Sequence, residues 1–293
     1  MKPAICFLSH NRPDYTQQSI ESILKNTKYP YKLYIYDNGS DKDVREFFAN
    51  DLYKDIDAIK IFGKKNLGLT APMNWMMKLA NDDGCDLFCH IANDIIMPEG
   101  WLSYMVDAIE KVPNLGPTGI NLEYKEFPIK EINGVELEEI EQEGCIGGMC
   151  FCISKKLYEA SGHFRFEFFY GQQDMTYTYK ARCLGFKPMY IPKKKFAGEH
   201  LGVMNIFDID DKGYCDRIGA KEKYVEYHDE MQKIIRESGQ RGRYMRWNYK
   251  KVYNWYLQGK TKEQDFKNYF KNTKQFRPIK YDEVHQGITN IKW

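Results

Sequence analysis

The first hundred residues alternate short, apolar, β-prone runs with helical segments, and that alternation restricts the fold more than any other feature. Ala4-Ile5-Cys6-Phe7-Leu8 precedes a helix that Pro13-Asp14 opens, with Ile20, Ile23 and Leu24 on one face. A second run, Lys32-Leu33-Tyr34-Ile35-Tyr36, stops at Asp37-Asn38-Gly39-Ser40, and a charged helix is expected over residues 43–50. A third run ends at Phe62, a helix is expected over residues 73–80, and Leu87-Phe88-Cys89-His90-Ile91 is the fourth run. Strands separated by helices are joined by right-handed crossovers. The expected architecture is therefore α/β, with a mainly parallel sheet between helices.

An open sheet of this kind binds ligands in the crevice outside the carboxyl ends of its strands. The fourth run leads straight into Asn93-Asp94, then into a Pro98-Glu99-Gly100-Trp101 turn and a helical pattern. A carboxylate at that strand end can hold a hard divalent cation, and such a cation can hold a diphosphate. Chemistry on a nucleotide-linked substrate is the expectation.

From Gly116 the pattern loosens. Residues 131–143 are acidic and read as surface. Gly147-Gly148 leads into a buried strand through Ile153, Ser154 can cap a helix over residues 155–160, and a helix over 176–184 has Gly185 at its C-terminal turn. After Asn205 the β-prone runs give way to helical, polar and aromatic sequence. Two regions are expected, a domain over residues 1–205 and a mostly helical, basic and aromatic extension over 206–293.

The formal net charge of +2 hides an asymmetry. Between Arg241 and Tyr281, twelve Lys and Arg face two acids, a surplus of ten, which leaves the remainder at −8. An acidic body with a basic tail suggests an anionic partner for the tail. The eight cysteines include no C-x-x-C pair and sit mostly in apolar runs, which reads as a reduced, cytoplasmic chain. Met1-Lys2-Pro3-Ala4 passes directly into a strand, so no signal peptide is expected, and no apolar run approaches the ~18 residues that span a bilayer.

Six ordered segments resemble the family 2 inverting glycosyltransferases of the GT-A fold, over about residues 4–202. They are Ser9-His10-Asn11-Arg12 with its helix; Tyr36-Asp37-Asn38-Gly39-Ser40-Asp41; Asn66-Leu67-Gly68 through Asn74; Asn93-Asp94 with Pro98 to Leu102; Gly147-Gly148 through Gly162-His163-Phe164; and Gly171-Gln172-Gln173-Asp174 with the helix ending at Gly185. The resemblance implies a UDP-linked donor and Mn²⁺ or Mg²⁺, with Asp94 and His200 as metal ligands and Asp174 as catalytic base. It also implies donor contacts at Ser9, Asn11, Arg12, Asp37, Asn66, Asn93, Asp94 and Gly148. Two positions depart from the pattern. Ala92 stands where the metal motif usually begins with Asp or Asn, and Gln173 stands where Glu usually precedes the base.

Each residue also has a plainer reading. Asp37 could accept hydrogen bonds from a uracil N–H or a ribose hydroxyl, or could form an Asx turn before Gly39. Asp94 suits a metal that stabilises a leaving diphosphate, or a strand-ending turn. Asp174 suits a general base at a helix start, where an anion is favoured, or a helix cap. His200 is a competent metal ligand or a structural imidazole. Asn66 and Asn74 could bind donor or cap turns, and Trp101 reads as core rather than as a sugar platform.

In the tail, Arg241, Arg243, Arg246, Trp247 and Lys250 interleave cations with aromatic rings. A solvated helix face explains this, and so does contact with a nucleic-acid backbone and bases. The acceptor is therefore expected to be a saccharide or glycoconjugate, or a hydroxylated DNA base of the kind viruses mask. The competing functions are a non-catalytic GT-A-like module that binds nucleic acid or an envelope polymer, and a nucleotidyltransferase. The latter lacks a glycine-rich basic phosphate loop.

Overall fold

The structure is a computed structural model, and it describes residues 1–64, 66–122, 125–141, 144–162, Phe164, 173–201 and 288–289. The first half is built as the alternation requires. β1 (Pro3–Ser9), α1 (Pro13–Asn26), β2 (Lys32–Asp37), α2 (Lys42–Phe47), β3 (Ile59–Gly63), α3 (Thr70–Asp82) and β4 (Leu87–Ala92) follow one another, with a π-helical turn at Phe48–Leu52. A two-residue strand β5 (Ile95–Ile96), helix α4 (Trp101–Lys111) and strand β6 (Leu115–Ile120) come next. A hairpin of β7 (Ile129–Ile132) and β8 (Val135–Glu139) precedes β9 (Cys150–Ser154), α5 (Lys155–Ser161), α6 (Gln173–Cys183), β10 (Lys187–Ile191) and β11 (Glu199–His200).

The main sheet runs in the order β12-β3-β2-β1-β4-β9-β6-β10-β8-β7, where β12 is Ile288–Thr289, antiparallel on β3. β3, β2, β1 and β4 are mutually parallel, and β9 enters antiparallel between β4 and β6. All seven residues of β1 are buried, because helices cover both faces and such strands become continuous apolar runs. Successive side chains point to opposite faces. Ile5, Phe7, Ile35 and Ile91 pack with Ile20 and Ile23 of α1 and with Trp101 and Met105 of α4. Cys6, Leu8, Tyr36 and Phe88 pack on the other face with Trp75 and Met76 of α3, Leu157 of α5 and Tyr177 of α6.

Several local expectations hold. Ser154 Oγ accepts the Leu157 N–H and caps α5. Gly185 has φ +83 and ends α6, with the Phe186 N–H donating to the Ala181 carbonyl. Trp101 is fully enclosed and donates to Thr27 Oγ1 at 2.9 Å, so it is core. Two expectations are corrected. Residues 131–143 are more than acidic surface, because the β7–β8 hairpin buries Val135, Leu137 and Glu138. Asn133 and Gly134, at φ 51 and +77, make the turn, which needs two left-handed residues to match the twist of its strands. Helix α6 also begins earlier than residue 176, at Gln173, which places Asp174 in its first turn. Of the extension over 206–293, only Ile288–Thr289 lies among the described residues.

Candidate active site

The loop from β1 to α1 is strained. Asn11 and Arg12 both have positive φ, 49 and 57. Non-glycine residues held there cost on the order of 1–3 kcal/mol each, so the surroundings must hold them in place. The Asn11 N–H donates to Ser40 Oγ at 2.8 Å, and Asn11 Oδ1 accepts the Asp41 N–H at 2.9 Å. These bonds tie the ends of β1 and β2 together. The same loop aims Arg12 at the end of β4, where Nη1 lies 2.9 Å from Asp94 Oδ2.

Asp94 is 8% exposed and follows β4 by two residues. The short β5–β11 pairing sets His200 opposite Ile95, and the Leu201 N–H donates to the Asp94 carbonyl at 2.8 Å. His200 Nε2 consequently lies 3.4 Å from Asp94 Oδ2. Burial opposes ionisation of Asp94, but His200 and Arg12 outweigh it and hold the carboxyl below the usual range. His200 Nδ1 is buried and has no hydrogen-bond partner among the described residues. Asn93 donates to Thr16 Oγ1 at 2.8 Å and fastens this strand end to α1.

Asp37 ends β2 and is fully buried. Its carboxylate accepts from the Ser40 hydroxyl and lies 3.5 Å from Arg45 Nε, so the turn reading of this residue is realised. Burial outweighs those partners and pushes its carboxyl up to about 6. Ser9 is equally enclosed, receiving the Tyr53 hydroxyl at 3.1 Å. Asn66 works within its own loop. Its Oδ1 accepts from Asn38 Nδ2 at 3.0 Å and from the Gly68 N–H at 2.8 Å, while Asn38 also holds the Gly68 carbonyl and the Leu67 N–H. Asn74 is buried and exchanges two hydrogen bonds with the backbone of Phe164, at 2.7 and 2.8 Å.

The fourth group arrives through β9. Ile91 pairs with Cys150, and the Ala92 N–H donates to the Met149 carbonyl at 2.9 Å. Gly148 therefore sits beside the end of β4. Its N–H donates to Asp174 Oδ2 at 2.9 Å, while the Met175 N–H donates to Oδ1 at 2.7 Å. Burial raises the Asp174 carboxyl above the usual range despite those two donors. A Cβ at Gly148 would stand 3.0 Å from Gln173 Nε2 and 3.1 Å from Asp174 Oδ2, so only glycine leaves the Asp174 carboxylate its place.

The structure thus brings Arg12, Asp94 and His200 into one cluster and sets Asp174 against the strand beside it. Asn11, Asn66 and Asn93 serve the loops that carry the cluster, and Ser9 and Asp37 lie beneath it. Sequence reasoning passed over Arg45 and gave no individual role to Asn38 and Ser40, although both lie in the segment at residues 36–41 that carries the resemblance. Arg241, Arg243, Arg246, Trp247 and Lys250 lie outside the described residues. Among the described residues no three His, Cys, Asp or Glu side chains gather as a metal cluster. No described helix is long and apolar enough to cross a membrane.

A mixed, mostly parallel sheet with helices on both faces and an acidic end to its central strand is the architecture of a GT-A domain. Residues 4–132 match the sequence model described as Glycosyl transferase family 2. The fold resembles GalNAc-T7 in a crystal structure with UDP, GalNAc and Mn²⁺, with a TM-score of 0.52 and 12% identity over 68% of this chain and 44% of that one. It also resembles residues 1–349 of TarS from S. aureus in complex with UDP-GlcNAc, with a TM-score of 0.52 and 13% identity over 70% of this chain and 60% of that one. The chain thus covers less than two thirds of either relative. No curated protein sequence matched it. The fold is of the GT-A type, and the match to the family 2 sequence model is confined to residues 4–132.

Proposed function

We propose that the protein moves a sugar from a nucleoside-diphosphate sugar, UDP-linked, to an acceptor hydroxyl with inversion at the anomeric carbon. The observation that carries this reading is the pairing of the Arg12–Asp94–His200 cluster with Asp174, held by Gly148 next to the same strand end. GalNAc-T7 crystallised with UDP and Mn²⁺, and TarS with UDP-GlcNAc, support the donor class.

Asp174 is the base. Its raised carboxyl suits a group that must take a proton near neutral pH, since a base too acidic has little drive to accept one. The acceptor O–H proton passes to Asp174 as the acceptor oxygen bonds to the anomeric carbon. The bond from that carbon to the diphosphate breaks, and its electron pair leaves with the diphosphate. Arg12 is placed to meet that growing negative charge. The carboxylate of Asp94 and the imidazole of His200 are the side chains that would hold Mn²⁺ or Mg²⁺. When bound, such a cation supplies Lewis-acid stabilisation of the leaving group. The loop that Asn38 and Asn66 organise walls the nucleotide side.

The acceptor hydroxyl is assigned to a saccharide or glycoconjugate. A hydroxylated DNA base rests on the basic segment at Arg241–Lys250 alone. The test is release of UDP from a panel of UDP-sugars with Mn²⁺, with the product anomer read by NMR. Asp174→Asn should lower turnover by about 10²–10⁴-fold, the usual worth of a positioned base. Turnover that survives this change intact refutes the base. A donor-independent, salt-sensitive DNA shift without turnover favours a binding module instead.

A further inference from the structure

β11 carries His200 to Asp94, yet its pairing with β5 is only two residues long. Strands ordinarily run about 3–10 residues, so a ladder this short takes its position from what flanks it. Among the described residues that flank is the strap over 192–198, which leaves β10 and enters β11. The strap is fixed at both ends. At its far end a Cβ on Gly198 would lie 2.8 Å from Ile120 Cδ1 and 3.1 Å from the Ile96 carbonyl oxygen, so the backbone passes tight against the sheet. At its start the Lys193 N–H donates to Glu138 Oε1 at 2.7 Å. Glu138 lies on β8, is 2% exposed, and accepts from Asn121 Nδ2 at 2.7 Å through its other oxygen. Asn121 is itself buried and directly follows β6, whose Ile120 pairs with Ile191 of β10. One buried carboxylate thus joins the ends of β6, β8 and β10. The hairpin makes a second contact with the strap, from Glu136 Oε2 to Lys195 Nζ at 2.7 Å, but those side chains are about half exposed. An exposed ion pair contributes little, whereas a buried acceptor taken away leaves its donors stranded from water.

We propose that Glu138 is a positioning residue of the candidate site, whose carboxylate clasps the start of the strap and thereby sets where His200 meets Asp94. This rests on the reading of Asp94 and His200 as the pair that serves the donor diphosphate. His200 Nε2 stands 3.4 Å from Asp94 Oδ2, so a shift of about 1 Å in the strap parts them, and displacements of that size are enough to disable a site. Asp174 is held separately, by the N–H groups of Gly148 and Met175. Loss of the clasp therefore weakens the diphosphate half of the site and spares the proposed base.

The experiment uses the full chain with Glu138→Gln, which keeps the side chain's shape but offers one acceptor oxygen to two donors, and Glu136→Gln as the exposed control. Amide hydrogen exchange is read by NMR at Leu201, whose N–H donates to the Asp94 carbonyl, and at Ile5 within β1. In Glu138→Gln the Leu201 amide should exchange at least about tenfold faster relative to Ile5 than in the wild type, and Glu136→Gln should leave that ratio within about twofold. A residue that merely added to global stability would not raise the ratio. The Mn²⁺ needed for half-maximal UDP binding, read by calorimetry, should rise about fivefold or more, while the acid limb of the turnover profile stays in place. Glu138→Gln combined with His200→Ala should need no more Mn²⁺ than His200→Ala alone, because the carboxylate acts through the imidazole. An unchanged exchange ratio in a folded Glu138→Gln protein overturns the inference, and so does a double variant in which the two losses multiply. If Glu138→Gln does not fold, the wild type decides. Its Lys193 and Leu201 amides should then open together along a urea series, and a Lys193 amide that exchanges more than about tenfold faster than Leu201 overturns the clasp. Should His200→Ala leave the Mn²⁺ requirement unchanged while Leu201 responds to Glu138→Gln, the positioning stands and the proposed metal role of His200 fails.

Discussion

Gly148→Ala adds one methyl group at the point where Asp174, the proposed base, is held. Gly148 does not have a left-handed φ, so alanine fits the backbone and the whole effect comes from the new Cβ. That Cβ would meet Gln173 Nε2 at 3.0 Å, Asp174 Oδ2 at 3.1 Å and Asp174 Cβ at 3.2 Å. Carbon contacts are optimal at about 3.5–4.0 Å, so Asp174 must retreat by roughly 0.5 Å, and the hydrogen bond that orients Oδ2 must lengthen or tilt. A displacement of about 1 Å can cost 10²-fold in rate, so a fall of about 10-fold to 100-fold in kcat is expected. Overpacking should cost about 1–3 kcal/mol in stability, which the fold should survive. The assay is steady-state UDP release from a UDP-sugar panel at saturating Mn²⁺, with circular dichroism and melting as controls. If the methyl acts through the base, Gly148→Ala combined with Asp174→Asn should be no slower than Asp174→Asn alone. A folded Gly148→Ala protein with kcat within twofold of wild type refutes the reasoning. So does a double variant in which the two losses multiply.

Further expectations rest on the other groups. Because the Asp174 carboxyl is raised, kcat should fall as pH drops through a value above the ordinary aspartate range, and a pH profile of UDP release reads it. Asp37 carries its proton up to about 6 in the folded chain, against 3.8 for an unperturbed group. Its contribution to stability is complete below the lower value and is lost as pH rises through the upper one, about 2–3 kcal/mol in all. Melting of Asp37→Asn should therefore gain on wild type between pH 4 and about pH 7, and parallel curves would sink the idea. His200→Ala should raise the Mn²⁺ needed for half-maximal UDP binding by at least about tenfold, read by calorimetry across a metal titration. Asn38→Ala removes three hydrogen bonds from the loop at residues 66–68, one of them buried, and should cost about 1–3 kcal/mol in urea unfolding.

Where hydrophobic period and strand length agreed, the chain announced its own structure. The runs at Ala4, Lys32 and Leu87 are buried on both faces and too short for helices, and they became β1, β2 and β4. The hairpin at Ile129–Glu139 was missed because its outward residues are mostly acidic, which masked the alternation. Asn133-Gly134 was nevertheless a legible turn signal. The pairing of β5 with β11 joins residues a hundred positions apart through two residues each. No local pattern encodes it, yet it is what delivers His200 to Asp94. Asp94 and Asp174 stood out through the ordered segments that place them at a strand end and a helix start, where turns and caps also put carboxylates. Arg12 was legible as a candidate donor contact, but its pairing with Asp94 was not, since that reach depends on two consecutive left-handed residues.

The two departures from the family pattern act in the same direction. Ala92 removes an acid from the metal motif, and Gln173 removes one beside the base. The proposed donor carries a diphosphate, and charges of like sign a few ångströms apart in a partly buried site repel strongly. With Ala92 in place, the cluster at the end of β4 holds one carboxylate, already neutralised by Arg12 at 2.9 Å, and one imidazole. It therefore presents no net negative charge to an incoming diphosphate. A second carboxylate at residue 92 would tighten the hold on a divalent cation, but it would also make that cation a precondition for donor binding. The strain stored at Asn11 and Arg12 fits the same logic. It keeps a permanent cation at the strand end, so the site's attraction for an anion does not rest on metal alone. Among the described residues, Asp174 is the carboxylate that meets Gly148, and burial is the largest influence raising it.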